Sequence, residues 1–534
     1  MSCRRIGASA CWLLLMAGAG LPQAHTQTPT FAQPAGVYAK IDIETAKTTC
    51  PGYKNGTAHF PSCIHKIYEH LFRNPVISGL TVGERWDNIQ ISSPGCGPGL
   101  LGPCYLDHTD WTFLDDAFAV AKDHGGTVQL IITPGVDTPR WVLMQIPSCD
   151  ALLDPKSGPQ PAQCGEVTIN KFQQQHRADG NILPLPWDAK YRDAWISFLG
   201  LLKDRYNISS HPEFVAIAVA GPNAASDEII YPTSAYGARM GPGRGKDADT
   251  AWPILIQFGY PNESTAFWNS DQAFVKAWNK TIDDFEGIFS GITLVLSPDA
   301  GNYLPEIPSP PAPPTEPDNQ ALFNLDCLSS VLPDSCAAKT DILSYFLYNH
   351  TTGPNAKATQ VGGMTAANAV SAANSNFGIG IGGVKLLTIE QPSLPQPTPP
   401  AILGGAEFDH PISNGKENAQ KVGCPTQTCT PPLTAEEAAY DVLSTFFHGT
   451  PAAYYYGGLT GGVDTGVCGK TPAPIQYLDV PYIDILNALT YPVPTVTSRI
   501  PGLGTTSLET LFTYASQDLL AMANGENIPT QTCP

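Results

Sequence analysis

GVKLLTIEQPSLP, residues 383–395, is the stretch on which the fold turns. Five of the seven residues from Val384 to Glu390 are aliphatic or β-branched, as in a strand buried along its length, yet the run ends on a carboxylate followed by a proline-broken loop. One reading is that the tip of this strand opens into a catalytic cleft. Working outward, seven more apolar runs can be marked, at 36–44, 77–83, 127–133, 214–220, 292–297, 357–362 and 452–457. Between them lie residues spaced near 3.6: Leu114, Ala117, Phe118 and Ala121; Tyr191, Trp195, Phe198, Leu199, Leu202 and Tyr206; Phe274, Trp278, Ile282, Phe285 and Phe289. A further helix is expected from Ala435 to Phe446, opened by the capping box Thr434-Ala-Glu-Glu437. Strands alternating with helices predict parallel pairing through crossovers, and a count near eight predicts an α/β fold, a single (β/α)8 TIM barrel with long loops. Its strands would run from about 36 to 458, with 459–534 as a closing segment.

Composition agrees with one large, apolar, loop-rich domain. Of 534 residues, 42 % are hydrophobic and only 14 % charged, while 51 prolines and 49 glycines without a period point to long ordered loops. The net charge of −19 argues against nucleic acid as a partner, since phosphate binding needs clustered Lys and Arg. Arg4 and Arg5 precede a short apolar run, Ala10 to Gly20, and small residues follow, so 1–24 reads as a signal peptide cut after Ala24 and the mature chain, 25–534, as secreted or periplasmic. No other segment is apolar for long enough to span a membrane. Without Cys3 and Cys11, the 14 cysteines become 12, and most fall in near pairs: Cys50 with Cys63, Cys96 with Cys104, Cys149 with Cys164, Cys327 with Cys336 and Cys424 with Cys429. Cys468 and Cys533 remain. These are read as disulfide staples of the loops, because no C-x-x-C pair supports zinc.

Motifs for other chemistries fail on context. Gly378-Ile-Gly380-Ile-Gly-Gly383 has the dinucleotide-binding spacing but precedes a strand instead of following one, and neither H-E-x-x-H nor G-x-S-x-G occurs. Acids just past strand tips carry more weight, because the loops after the strands of such a barrel build its site. Glu390 ends the seventh run, and AGPNAASDE after the fourth brings Asp227 and Glu228. Two carboxyl groups converging from opposite sides of a barrel suit glycosidic cleavage, one protonating the leaving oxygen while the other attacks the anomeric carbon or activates water.

The order of SGLTVGERWDNIQ, HTDWTFLDDAFAVAKDHGG, TVQLIITPGVDTPRWV and FVAIAVAGPNAASDE resembles the retaining (β/α)8 glycoside hydrolases, the clan of β-galactosidases, β-mannanases and cellulases, over about Gly36 to Gly458. The resemblance implies an acid/base at Glu228 after strand four and a nucleophile at Glu390 ending strand seven, acting on a carbohydrate with no cofactor and no metal. It departs from the clan in lacking Asn-Glu-Pro: Asn223 stands five residues before Glu228, which leaves Asp227 open as the acid. Arg85 resembles the arginine beside the nucleophile. Trp86, Trp141 and Trp187 offer faces for a sugar ring, and Asn223 and Tyr456 complete the expected binding residues. The alternative is a carbohydrate-binding barrel without turnover.

Overall fold

Tyr38 reaches over Gly79 to hydrogen-bond with the Thr127 hydroxyl two strands away, and this contact shows how the sheet is built. A side chain at position 79 would collide with the tyrosine ring, its Cβ falling 2.4 Å from Cε1, so the glycine in SGLTVG makes the crossing possible. The computed structural model describes chiefly residues 34–50, 59–91, 109–171, 181–224, 229–234, 237–263 and 272–296, with the later strands 384–389, 404–408 and 477–481 and short pieces near the C-terminus.

Eight strands are paired in the main sheet: β1 (Gly36–Asp42), β2 (Ile77–Arg85), β3 (Thr127–Thr133), β4 (Phe214–Ala218), β5 (Thr293–Leu296), β6 (Val384–Ile389), β7 (Gly404–Phe408) and β8 (Tyr477–Pro481). Six of them form a parallel curled sheet in the order β5-β4-β3-β2-β1-β8. β7 pairs parallel with β8, and β6 lies antiparallel between β7 and β5.

Side chains measure the curl. Asp479 on β8 accepts hydrogen bonds from Thr81 Oγ1 on β2 at 2.5 Å and from Gln129 Nε2 on β3 at 3.3 Å. In a flat sheet β8 and β3, three spacings apart, would be separated by about 14 Å, beyond the reach of Asp and Gln together. The concave face mixes polar side chains, Tyr38, Thr81, Thr127, Gln129 and Asp479, with a small buried apolar cluster of Val215, Ala216, Val295 and Tyr477 around Tyr38. The convex face carries Val37, Ala39, Ile41, Leu80, Val82, Val128 and Leu130, packed in one core with the helices.

Those helices are α1 (Ile43–Thr49), α2 (His59–Phe72), α3 (Trp86–Ile89), α4 (Thr112–His124), α5 (Ala189–Arg205), α6 (Ala248–Gly259) and α7 (Gln272–Ile288). The 3.6-residue spacings place α4, α5 and α7 as expected, and Asp188 caps α5 by accepting from the Tyr191 amide at 2.8 Å. Burying each Trp, Phe or Leu of these faces stabilises by about 1.5–3 kcal/mol. Two expected disulfides form, Cys50–Cys63 tying α1 to α2 and Cys149–Cys164 closing the loop before a small antiparallel sheet of 181–184, 166–171, 239–240 and 246–247. Loops of this size contribute about 3 kcal/mol each. The other cysteine pairs lie outside the described residues.

Two expectations are corrected. The run 384–389 is a strand, but it runs against its neighbours and takes the sixth place. A parallel seventh strand would have to be reached by a crossover, usually helical, whereas residues 391–400 contain five prolines and permit only a direct return to an antiparallel neighbour. The seventh place belongs to 404–408 and the eighth to 477–481, the latter inside the segment expected to close the fold. The expected strands 357–362 and 452–457 and the helix at 435–446 lie outside the described residues. No helix among the described residues is long and apolar enough to cross a membrane.

Candidate active site

The ends of β1, β2 and β3 meet at a charged cluster. Asp42 ends β1 and caps α1, accepting from the Thr45 amide at 2.7 Å, which sets Glu44 in the first turn. Arg85 ends β2. Its Nη1 meets Glu44 at 3.0 Å, its Nε and Nη2 grip Asp87 at 3.1 and 2.9 Å, and its Nε also lies 3.1 Å from Asp137, from the turn after β3. Asp137 is buried and also accepts from Thr133 Oγ1 at 3.0 Å. Burial opposes the guanidinium charge, but Asp137 and Asp87 more than offset this and raise its pKa. Arg85, expected among the substrate-binding residues, engages three carboxylates and holds them together.

Glu84, one residue earlier, went unnoticed in the sequence. It continues the convex face of Leu80 and Val82, so an acid stands where the alternation calls for an aliphatic residue. Its Oε1 accepts from the Arg85 amide at 2.8 Å and from Asn88 Nδ2 at 3.0 Å, and burial pushes its pKa up to about 8.

The loops after β3 and β4 are locked together. Tyr191 donates to the Gly221 carbonyl at 2.6 Å and accepts from the Gly135 amide at 3.3 Å, while Val136 N–H reaches the Ala224 carbonyl at 2.7 Å. Asn223, expected among the substrate-binding residues, is buried, and its Oδ1 shapes its own loop by accepting from Gly221 N–H at 2.8 Å. Ala224 N–H bonds the Ile230 carbonyl at 3.0 Å, which brings the two ends of the acid-bearing segment 225–228 to one point. Asp227 and Glu228 themselves lie outside the described residues.

Gly135 is the keystone of this junction, with φ +67° and a Cβ position 2.3 Å from Ala224 O and 2.5 Å from Asn223 O. Gly135→Ala is expected to cost about 2–3 kcal/mol in urea denaturation, part for the left-handed backbone and part for the carbonyl collision. Gly125→Ala is the control, because Gly125 has φ +68° but nothing within 4 Å of its Cβ position. Equal losses in the two variants would show that the junction is not tightly packed.

The aromatic expectations divide. Trp86 is fully buried, 5.0 Å from Trp195 and 5.6 Å from Phe198 by ring centroids, and its Nε1 donates to Gln90 Oε1 at 2.9 Å. It is a core pillar and no sugar platform: the short helix α3 turns the residue after Arg85 inward. Trp187 packs against Tyr260, Trp252 and Phe274. Trp141 is half-buried after β3 and oriented by a 3.4 Å bond from Nε1 to the Gln90 carbonyl. Glu390 and Tyr456 lie outside the described residues. Because β6 is antiparallel, its last described residue, Ile389, pairs with Val295 and the strand leads away from the end at which β2, β3 and β4 finish. The acid carried by the strand in seventh place is Glu407, whose register partner on β8 is Asp479.

No family model matches the chain, and no curated protein matches it. Among solved structures it is similar to two glycoside hydrolases. One is the β-galactosidase of the psychrophilic Marinomonas ef1, at 12 % identity over 48 % of this chain and 36 % of that one, with a TM-score of 0.26. The other is the β-amylase catalytic domain of Paenibacillus polymyxa, at 10 % identity over 52 % of this chain and 71 % of that one, also with a TM-score of 0.26. The chain thus spans about a third of the length of the galactosidase.

Proposed function

We propose that the protein is an exported glycoside hydrolase that cleaves a β-linked glycan with retention of configuration, its eight strands forming a single barrel. The observation that carries the reading is the strand order. β4, followed by the pinned loop that bears Asp227 and Glu228, stands three strands from β7 along β4-β5-β6-β7, so the curl turns these two strands toward each other. In this reading Glu407 is the nucleophile in place of Glu390, and Glu228, or Asp227 beside it, is the acid/base. Glu407 attacks the anomeric carbon and forms a glycosyl ester while the acid protonates the departing oxygen; the same residue then draws a proton from water, which releases the sugar. Arg85 gathers the carboxylates at the rim, and Trp141 offers its ring to the apolar side of a pyranose.

The test is chemical. A panel of aryl β-glycosides is assayed, product anomers are followed by NMR, and a 2-deoxy-2-fluoro glycoside is used to trap the ester for peptide mapping. The expected results are a β-anomer formed first and an adduct on the peptide containing Glu407. An adduct on Glu390 would return the nucleophile to that residue, and absence of turnover across the panel would overturn the enzyme reading in favour of carbohydrate binding alone.

A further inference from the structure

α2 and α4 pack side by side, and a chain of alternating acids and imidazoles crosses between them. Asp116 Oδ1 on α4 meets His65 Nδ1 on α2 at 2.8 Å, and His65 Nε2 faces Glu69 Oε1, one turn further along α2, at 4.0 Å. Glu69 Oε2 in turn meets His124 Nε2, back on α4, at 3.2 Å. The His124 ring then stacks flat on Phe72 of α2, with centroids 5.4 Å apart. These contacts climb both helices in one direction, 65 to 69 to 72 on α2 and 116 to 124 on α4.

Both nitrogens of His65 are thus turned toward carboxylates. A neutral imidazole carries one N–H and serves one of them, whereas the imidazolium donates to both. Asp116 Oδ2 is buried with no hydrogen-bond partner among the described residues, so the ring answers this carboxylate through Oδ1. The charged groups that act on His65 are Asp116, Glu69 and Asp123, all acidic. Asp115 is turned instead to Arg205 and Tyr206, and Lys66 and His70 on α2 and Lys122 on α4 adjoin the chain. From β2, which both helices contact, Glu84 acts with Asp116 on Tyr68. From β3 the side chains Val128 and Leu130 share the core with the helices.

We infer that Asp116, His65, Glu69 and His124 form a clasp between α2 and α4 that closes by taking up a proton in mildly acidic solution and loosens above neutrality. The hydrogen bond to Asp116 lifts the pKa of His65 above the ordinary imidazole value, and burial lifts that of Asp116 against the pull of the ring. The charged pair therefore exists only above the ionisation of Asp116 and below the deprotonation of His65. Its stabilising share is present in mild acid and is lost as pH rises past the raised imidazole value. Closing the clasp secures α2, which Cys50–Cys63 ties to α1 and so to Glu44 at the rim.

The test needs no turnover. The His65 C2 proton is followed by NMR through a pH titration of the full chain. Its midpoint is expected above the ordinary imidazole value, falling by about half a pH unit in Asp116→Asn and by a smaller step in Glu69→Gln. A midpoint that neither variant lowers would overturn the clasp. Urea unfolding supplies a second readout, through the double-mutant cycle of His65→Gln and Asp116→Asn at pH 5.5 and pH 8.5, in which the contribution of Glu84 cancels. As an unfolding equilibrium constant, the interaction is expected to be about threefold larger at pH 5.5 than at pH 8.5. Equal interaction at both would leave a plain hydrogen bond that senses no proton, and the inference would fall.

Discussion

Glu407→Gln is expected to lower kcat/KM on an aryl β-glycoside by more than about 10⁴, a loss of about 5.5 kcal/mol of transition-state stabilisation. The amide keeps the volume of the acid but cannot form a glycosyl ester, so the covalent route closes while binding survives. Glu390→Gln is the internal control, expected to leave turnover within about twofold, since its strand leads away from the ends of β2, β3 and β4. Glu228→Gln should cost about 10²–10⁴, the usual contribution of a positioned proton donor. That cost should shrink on leaving groups that need no proton, and if Asp227→Asn shows this signature instead, the acid/base passes to Asp227. Full activity in Glu407→Gln with loss in Glu390→Gln would reverse the assignment made from strand order.

The parts of this fold legible in sequence are those whose residues leave one choice. FVAIAVA has no polar face to expose, and TVQLIIT alternates Thr127, Gln129 and Thr133 with the unbroken aliphatic face Val128, Leu130 and Ile132; each becomes a parallel strand buried for most of its length. α4, α5 and α7 repeat large apolar residues at helical spacing and pack where that spacing points. β7 and β8 were illegible because GGAEF holds two glycines and no β-branched residue, and YLDVP an acid and a proline; their strand character comes from pairing, not propensity. Direction is a different kind of gap. Nothing in VKLLTI distinguishes a parallel from an antiparallel neighbour, and the information sat downstream, in prolines that forbid a helical return. The same limit explains Trp86: the letter fits a sugar platform or a core pillar, and only the inward turn of α3 decides. At the site, Arg85 and the pinned loop after β4 were legible as strand-end features, but the contacts of Arg85 with Glu44 and Asp137 depend on strand tips brought together by the fold.

Glu84 gives the second large effect, and its sign follows from where its proton goes. The buried carboxyl holds its proton up to about pH 8, whereas in the unfolded chain it ionises near 4.5. Below 4.5 both states are protonated and Glu84 takes nothing from stability. Between the two values the unfolded chain has released a proton that the folded chain keeps, so stability falls as pH rises, and levels off above about 8. The full difference is on the order of 5 kcal/mol. Glu84→Gln copies the protonated acid and keeps an oxygen to accept from the Arg85 amide and Asn88. Wild type and variant should therefore unfold at similar urea concentrations at pH 4, with the variant gaining steadily to pH 8. A constant difference from pH 4 to 9, or a gain by wild type, would mean that Glu84 is charged in the folded protein, answered by Lys47 and Arg85 through the cluster at the strand ends. The side chain beneath the rim would then belong to the charge balance of the site instead of to the apolar face that its place on β2 assigns it.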